Sequence, residues 1–254
     1  MIALLVSSKT MRPSECPYNL PLSEPQFSKQ AQTLNSYLKR LSPLQIKRIM
    51  HVSPNLASST KDLISNWNFD DASPAWYAFS GDVYTGLKIR EFTKEDILFA
   101  QEHLGTLSGL YGILKPLDKI QPYRLEFGYI LKSAGFKNLY EFWGDSIAKT
   151  IPSNETVINL ASEEYIKVLK PYLSREQIIT PWFMQLKNGE PVFQAVHAKM
   201  ARGAMARWIS KNRVIDPTKL IEFNYNGYKY APKLSTNLKP TFIRVEGYDF
   251  RADY

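Results

Sequence analysis

The chain opens on an aliphatic run, Ile2-Ala3-Leu4-Leu5-Val6, that stops at Ser7-Ser8-Lys9-Thr10, the pattern of a short buried strand ending in a polar turn. Residues 11–25 carry four prolines and read as an irregular excursion. From Gln26 to Leu41 the apolar positions Phe27, Ala31, Leu34 and Leu38 repeat with a helical period. Ser42 before Pro43 is an N-cap with proline at the first helical position, and opens a helix through about Met50. After a turn at 51–55, Leu56–Trp67 reads as a second helix.

Pro74–Phe79 is a continuous apolar run read as a strand entering Ser80-Gly81-Asp82. Thr93–Leu104 is a helix with Thr93 as cap and Asp96 near the capping-box position. Leu107–Gly112 and Val157–Ala161 read as strands, with a helix from about Asn138 to Thr150 between them and another over Glu163–Lys170. Ile178–Leu186 and Glu190–Ala195 form a hairpin about Lys187-Asn188-Gly189, because Asn-Gly supports left-handed turn geometry. Lys199–Asn212 is helical, and the last 30 residues, rich in tyrosine and phenylalanine, read as terminal strands. Strands and helices are interspersed without a clean βαβ alternation. The expectation is a mixed α/β (α+β) fold, one compact domain over 1–254.

Composition narrows the class. With 254 residues, 44% hydrophobic and 13% aromatic, the chain is long enough to bury a large core and too aromatic for disorder. The longest aliphatic stretch, Ile2–Val6, is far short of a membrane span, and no signal-peptide pattern is present, so a soluble protein of a reducing compartment is expected. Cys16 is the single cysteine, and His51, His103 and His197 are scattered, which argues against a disulfide framework or a transition-metal site. No Gly-x-Ser-x-Gly elbow occurs. No cofactor is expected.

Charge changes the picture more. Lys+Arg 32 against Asp+Glu 24 gives +8. Eleven of these cations fall in two acid-free windows: Lys29, Lys39, Arg40, Lys47, Arg48 and Lys61 between 25 and 61, and Lys199, Arg202, Arg207, Lys211 and Arg213 between 191 and 215. Such clusters attract polyanions. The stretch Ser42–Trp67 has the make-up of a helix–hairpin–helix, whose turn amides and lysines would hold a DNA backbone. The alternative is an ordinary αα-hairpin packing Leu44, Ile49, Leu56 and Leu63 into the core. On the helix through 199–212, Ala201, Ala204, Met205, Trp208 and Ile209 share one face and the cations the other. With no acid in that window to pair them, and arginine's fork suited to phosphate, anion binding competes with a merely solvated face.

A third cluster gathers Tyr111, Lys115, Asp118, Tyr123, Arg124 and Glu126 among glycines and prolines. Ser80-Gly81-Asp82-Val83-Tyr84, Phe142-Trp143-Gly144-Asp145 and Asn159-Leu160-Ala161-Ser162 place polar groups at the ends of apolar runs, as does Ser7–Thr10. Lys9 there is a phosphate contact or an amine nucleophile.

Taken in order, Ser80–Leu87, Leu107–Asp118 with Pro122–Glu126, Phe142–Asp145, Asn159–Ser162 and Ala198–Arg207 resemble the YaaA family of bacterial peroxide-stress proteins. The N-terminal motif is one residue shorter than the family's Ser-Pro-Ala-Lys-Thr but keeps Lys9-Thr10. The resemblance implies a cytoplasmic protein that helps cells survive hydrogen peroxide, with lower free iron and less oxidative DNA damage. It also implies one mixed α/β fold with a central sheet or barrel-like core, a positively charged cleft, a helix–hairpin–helix mapping onto 42–67, and double-stranded DNA as partner. Lys47, Arg48, Ser53, Asn55, Lys61, Lys199, Arg202, Arg207 and Lys211 are then the expected DNA contacts. Lys9, Thr10, Tyr84, Tyr111, Lys115, Tyr123, Arg124, Trp143, Asn159 and Ser162 are the expected cleft lining. Removing Arg202 or Arg207 should flatten the salt dependence of binding. The competing expectation is an enzyme acting on a flipped or damaged base, with Lys9, Asp82, Asp118 and Glu126 as candidate catalytic groups.

Overall fold

The computed structural model describes residues 1–68, 72–133 and 135–245. The first helices along the chain are α1 (Ser28–Leu38), α2 (Pro43–Met50), α3 (Pro54–Ser65), α4 (Ala75–Ala78) and α5 (Asp82–Leu87). They are followed by α6 (Lys94–His103), α7 (Leu139–Trp143), α8 (Glu163–Ile166) and α9 (Ala195–Lys211). The larger sheet contains β1 (Ile2–Val6), β2 (Leu104–Ser108), β3 (Gly112–Leu114), β4 (Val157–Asn159) and β5 (Ile178–Ile179) in the order β3-β2-β1-β4-β5. β1 lies at its centre, parallel to β2 on one side and to β4 on the other. Its outer strands do not pair with each other, so the sheet is open rather than closed into a barrel. A smaller sheet contains β6 (Trp182–Lys187), β7 (Glu190–Val192), β8 (Tyr228–Tyr230) and β9 (Thr241–Arg244), in the order β7-β6-β9-β8.

The architecture is mixed α/β, and one apolar core joins its parts, with Leu4, Leu5, Trp76, Tyr111, Trp143, Phe183, Met205 and Phe242 fully buried. Each such large side chain contributes about 1.5–3 kcal/mol by leaving water. No helix among the described residues is long and apolar enough to cross a membrane.

Several elements follow their sequence signals. Phe27, Ala31, Leu34 and Leu38 are buried along α1. Ser42 and Thr93 cap α2 and α6 through complete capping boxes. Asn188 and Gly189 turn the β6–β7 hairpin with φ of 53° and 80°.

Other expectations need correction. The strand expected over Pro74–Phe79 is the buried helical turn α4, framed by the two-residue strands Ser73–Pro74 and Phe79–Ser80. An apolar run buried on all sides carries no period to separate helix from strand. The strand expected over Leu107–Gly112 is cut by a turn, with Gly112 at φ 71° starting β3. The helix expected over Asn138–Thr150 ends at Gly144, whose φ of 48° stops α7, and resumes only as a 3-10 turn at Ala148–Thr150. Ile178–Ile179 joins the large sheet and not the hairpin. Of the C-terminal strands, Tyr228–Tyr230 and Thr241–Arg244 form; residues 246–254 lie outside the described residues.

The 42–67 region is an αα-hairpin, but its inner face is Ile46, Met50, Ala57, Thr60 and Ile64, while Leu44 and Leu63 are exposed. α3 starts at Pro54, two residues before the expected helix. His51 takes the left-handed turn position, φ 51°, that a glycine would ordinarily occupy.

α5 and α9 cross in backbone contact. A methyl group on Gly203 would overlap the Val83 carbonyl, and one on Gly86 the Met200 carbonyl. α9 is therefore buried around most of its circumference rather than along one stripe. That crossing fixes where its cations can reach.

Candidate functional site

The carboxyl ends of β1 and β4 open into a cleft of about 450 Å³. The chain leaves β1 toward β2 on one side and later returns to β4 on the other, so this end of β1 is a switch point of the sheet, where open α/β sheets place ligands. Ser7–Thr10 follow β1 into the cleft, Ser80-Gly81-Asp82 and Tyr84 wall one side, Glu126, Ser162, Glu164 and Tyr165 another, and α9 adds Lys199 and Arg202.

Local bonding holds the Lys9 loop open. Thr10 pairs with Ser80 as a two-residue antiparallel ladder, and the Ser8 hydroxyl donates to the Ser80 carbonyl. The Arg124 guanidinium donates to the Lys9 carbonyl at 3.1 Å, and the Tyr84 hydroxyl to the Val6 carbonyl at 3.1 Å. Gly81 sits at φ 108°, a conformation that a residue with a side chain rarely adopts, and so turns the chain into α5 beside Ser8.

Glu126 is the centre of the polar network. Only 6% of its side chain is exposed, the Tyr165 hydroxyl donates to its Oε2 at 2.6 Å, and Lys9 Nζ lies 4.0 Å from the same oxygen. Ser7 Oγ is 3.2 Å from the Tyr165 hydroxyl. Burial pushes the Glu126 carboxyl above its ordinary range, against the opposing pull of Tyr165 and Lys9. Burial likewise raises the Tyr165 phenol, and the Glu126 carboxylate adds to the shift. Lys199 Nζ is 3.6 Å from Asp82. Arg202 has no acid within ion-pair distance and its buried Nε has no hydrogen-bond partner among the described residues, while burial pulls its pKa below the ordinary arginine value. The cleft thus carries both signs, with Asp82, Glu126 and Glu164 among its cations.

The expected site residues divide. Lys9, Thr10, Asp82, Tyr84, Glu126, Ser162, Lys199 and Arg202 meet in the cleft. Asp118 does not: it accepts from Ser23 Oγ at 2.6 Å and from the Lys115 amide at 2.8 Å at a separate buried turn, where burial raises it to about 6. Lys115 is at the mouth of that turn. Tyr111, its phenol pushed up to about 12 by burial, and Tyr123 pack against each other in the core. Trp143 is buried too, donating to the Gly109 carbonyl at 3.0 Å. Asn159 closes the turn after β4, accepting from the Ala161 amide and donating to Thr180.

The lack of acids in the 191–215 window does not leave its cations unpaired, because other elements bring the acids. Arg207 meets Glu91 at 3.0 Å, and Lys211 and Arg213 meet Asp96 at 3.2 and 2.8 Å. On the hairpin, the Ser53 hydroxyl accepts from the Leu56 amide as the α3 cap, Asn55 is exposed in the first turn, and Lys61 donates to the Lys39 carbonyl. Lys29, Lys39, Lys47 and Arg48 are exposed, with no ion pair among the described residues. Leu63 and Ile64 of α3, with Trp67 after it, border Tyr123, Arg124 and Leu125 in a small gap apart from the cleft.

Sequence reasoning missed Tyr165, Glu164 and Gly81 as site residues. The available signal for the first two was their place directly after the polar end of β4. Among the described residues no group of three or more His, Cys, Asp or Glu is placed to hold a metal ion.

Fold and cleft together define a mixed α/β protein with a cleft of about 450 Å³, lined by both charges, at the sheet's switch point. The chain belongs to the family described as peroxide stress protein YaaA, whose model matches residues 1–234. It is 43% identical over 250 residues to a UPF0246 protein of Salinispora tropica, covering 97% of this chain and 95% of that one. A UPF0246 protein of Ralstonia nicotianae is 39% identical over 254 residues, covering 96% and 99%, and one of Shewanella baltica is 38% identical over 256, covering 97% and 100%.

Proposed function

We propose that the protein serves the peroxide-stress response by binding duplex DNA through its backbone, with the α1–α3 surface laid along the phosphates and the cleft facing them. The observation that carries this reading is the exposed set Lys29, Lys39, Lys47 and Arg48, which makes no ion pair among the described residues, together with a cleft whose Arg202 has no acid partner among them. Phosphate is the ligand that an array of unpaired cations of this kind recognises without regard to base sequence. Ser53 and Pro54 leave few free amides at the start of α3, so side-chain charge rather than the hairpin backbone supplies the grip.

The test is fluorescence anisotropy on duplex DNA across a salt series. The logarithm of affinity should fall linearly with the logarithm of salt. Lys47→Gln with Arg48→Gln should make the slope shallower by about 0.9 for each phosphate that the variant no longer neutralises. No binding at low salt, or an unchanged slope in the double variant, refutes the reading.

A further inference from the structure

The cleft is too small for a duplex but lies in the range of about 300–1,000 Å³ that small-molecule sites occupy. One extruded nucleotide can enter it. Along its wall a lysine amine faces a buried carboxyl group: Lys9, 56% exposed, with Nζ 4.0 Å from Glu126 Oε2 and no other acid within ion-pair distance among the described residues. Lys199, the other amine in the cleft, is instead beside Asp82. Tyr165, itself contacted by Ser7, fixes the Glu126 carboxyl so that one oxygen is turned toward Lys9. Arg202 stands in the same space without an acid partner among the described residues.

We infer that Lys9 is a nucleophile toward an aldehyde, and that the aldehyde is the open-chain form of a deoxyribose whose base has been lost. This rests on the DNA-binding reading for the delivery of the substrate, though not for the chemistry. Oxidative base loss produces that sugar, which equilibrates with its ring-opened C1 aldehyde.

The step balances without an oxidant or reductant. Lys9 Nζ first passes a proton to the Glu126 carboxylate, and the amine so freed adds to C1, forming an N–C bond; proton transfer from nitrogen to oxygen leaves a carbinolamine. Glu126 gives the proton on to the carbinolamine hydroxyl. The C–O bond breaks, water leaves, and the nitrogen lone pair forms the C=N bond of an iminium ion, with Glu126 again a carboxylate. The sum is protonated amine plus aldehyde giving iminium plus water. A carboxylate whose affinity for a proton burial raises, held beside the amine, is suited to this shuttle. Arg202 is placed to take the phosphate flanking the sugar. Tyr165 and Ser7 are positioning residues.

The experiment mixes the full chain with a duplex carrying one abasic site and adds sodium borohydride, which reduces an imine to a stable amine. Adducts are read on a denaturing gel and mapped by peptide mass spectrometry, with anisotropy on the same duplex run in parallel. The expected result is an adduct on the peptide carrying Lys9, absent in Lys9→Gln and in Lys9→Arg, and forming about a hundredfold more slowly in Glu126→Gln. Binding of the abasic duplex by the wild-type chain with no adduct, or an adduct at a different lysine, overturns the inference. If the duplex is not bound even at low salt, the DNA-binding reading fails by itself. The aldehyde is then supplied as 2-deoxyribose 5-phosphate: an adduct at Lys9 upholds the amine chemistry, and its absence overturns it.

Discussion

Replacing Arg202 by methionine should make the protein more stable and worse at binding. In the native fold the Arg202 side chain is largely withdrawn from water, and among the described residues its buried Nε–H has no partner and no acid compensates its charge. A buried donor left unsatisfied costs about 1–3 kcal/mol. Methionine keeps an unbranched stem of similar length, adapts to an irregular wall and removes both the unpaired donor and the desolvated charge. The expected gain is therefore about 1–2 kcal/mol, or roughly 2–8 °C in Tm for a chain of this length. Binding should move the other way. A charge-assisted contact to phosphate is worth about 1.5–3 kcal/mol, so affinity for duplex DNA should fall by about ten- to a hundredfold, and the salt slope should become shallower by about 0.9. Urea denaturation and anisotropy on the same preparation read both effects. A variant that loses more than about 1 kcal/mol of stability while its salt slope stays unchanged would refute the reasoning, because Arg202 would then be a structural strut.

Three further substitutions test the surroundings of the cleft. Gly203→Ala should cost at least about 1–3 kcal/mol, since the new methyl overlaps the Val83 carbonyl and forces α5 from α9; a Tm within about 1 °C of wild type would show that the helices separate freely. Arg207→Ala should cost about 1–3 kcal/mol, because it removes the ion pair to Glu91 and the stacking on Tyr225, 5.2 Å from the guanidinium carbon. Its salt slope should match wild type, in contrast to Arg202→Met; a flattened slope would place Arg207 on the DNA instead. For Asp118, burial raises the carboxyl from 3.8 to about 6, so the folded state holds its proton longer than the unfolded chain, and this group's contribution to stability is lost as pH rises through that window. Two pH units correspond to about 3 kcal/mol at most. The stability of Asp118→Asn relative to wild type should accordingly climb by about 2–3 kcal/mol between pH 4 and pH 7 in urea titrations, and a flat difference would contradict the assignment.

Local signals were legible where one residue type has one physical use. Ser42-Pro43, Thr93 with Asp96, and Asn188-Gly189 each specify a cap or a turn by short-range hydrogen bonding or backbone freedom, and each forms as read. Runs without a period were not legible: Ala75–Ala78 is buried on every side, so nothing in its pattern distinguishes a helical turn from a strand. The site was half legible. Lys9 and Asp82 stand out at the ends of apolar runs, Arg202 on the cationic face of a helix and Glu126 as a charged group among glycines and prolines, and they meet. Asp118 stands out for the same reason and instead bonds to Ser23 and the Lys115 amide at a turn of its own. Pairing was the least legible feature, because it depends on residues distant in sequence. Glu91 and Asp96 lie more than 100 positions before the cations they neutralise, and an acid-free window describes the chain's order rather than its neighbourhoods.

That pairing explains how α9 can carry an unpaired arginine at all. Its C-terminal half is tied down by Arg207 to Glu91 and by Lys211 and the following Arg213 to Asp96, which itself accepts from the Thr93 amide in the α6 capping box. Its middle is locked to α5 by the contact of Gly203 with the Val83 carbonyl. The backbone at 202 therefore has little freedom to swing its guanidinium out to solvent, and the turn at Gly81, at a φ that glycine adopts freely, sets the opposite wall. Beside it, Glu126 is held in a buried position where its charged form is disfavoured. The unpaired Arg202 and the buried Glu126 each cost stability, and both border one cleft at the end of β1, while the ion pairs of Arg207, Lys211 and Arg213 lie outside it. A chain optimised for stability alone would have paired Arg202 and exposed Glu126; that it does neither is the reason to look for the ligand in this cleft rather than along the better-neutralised half of the same helix.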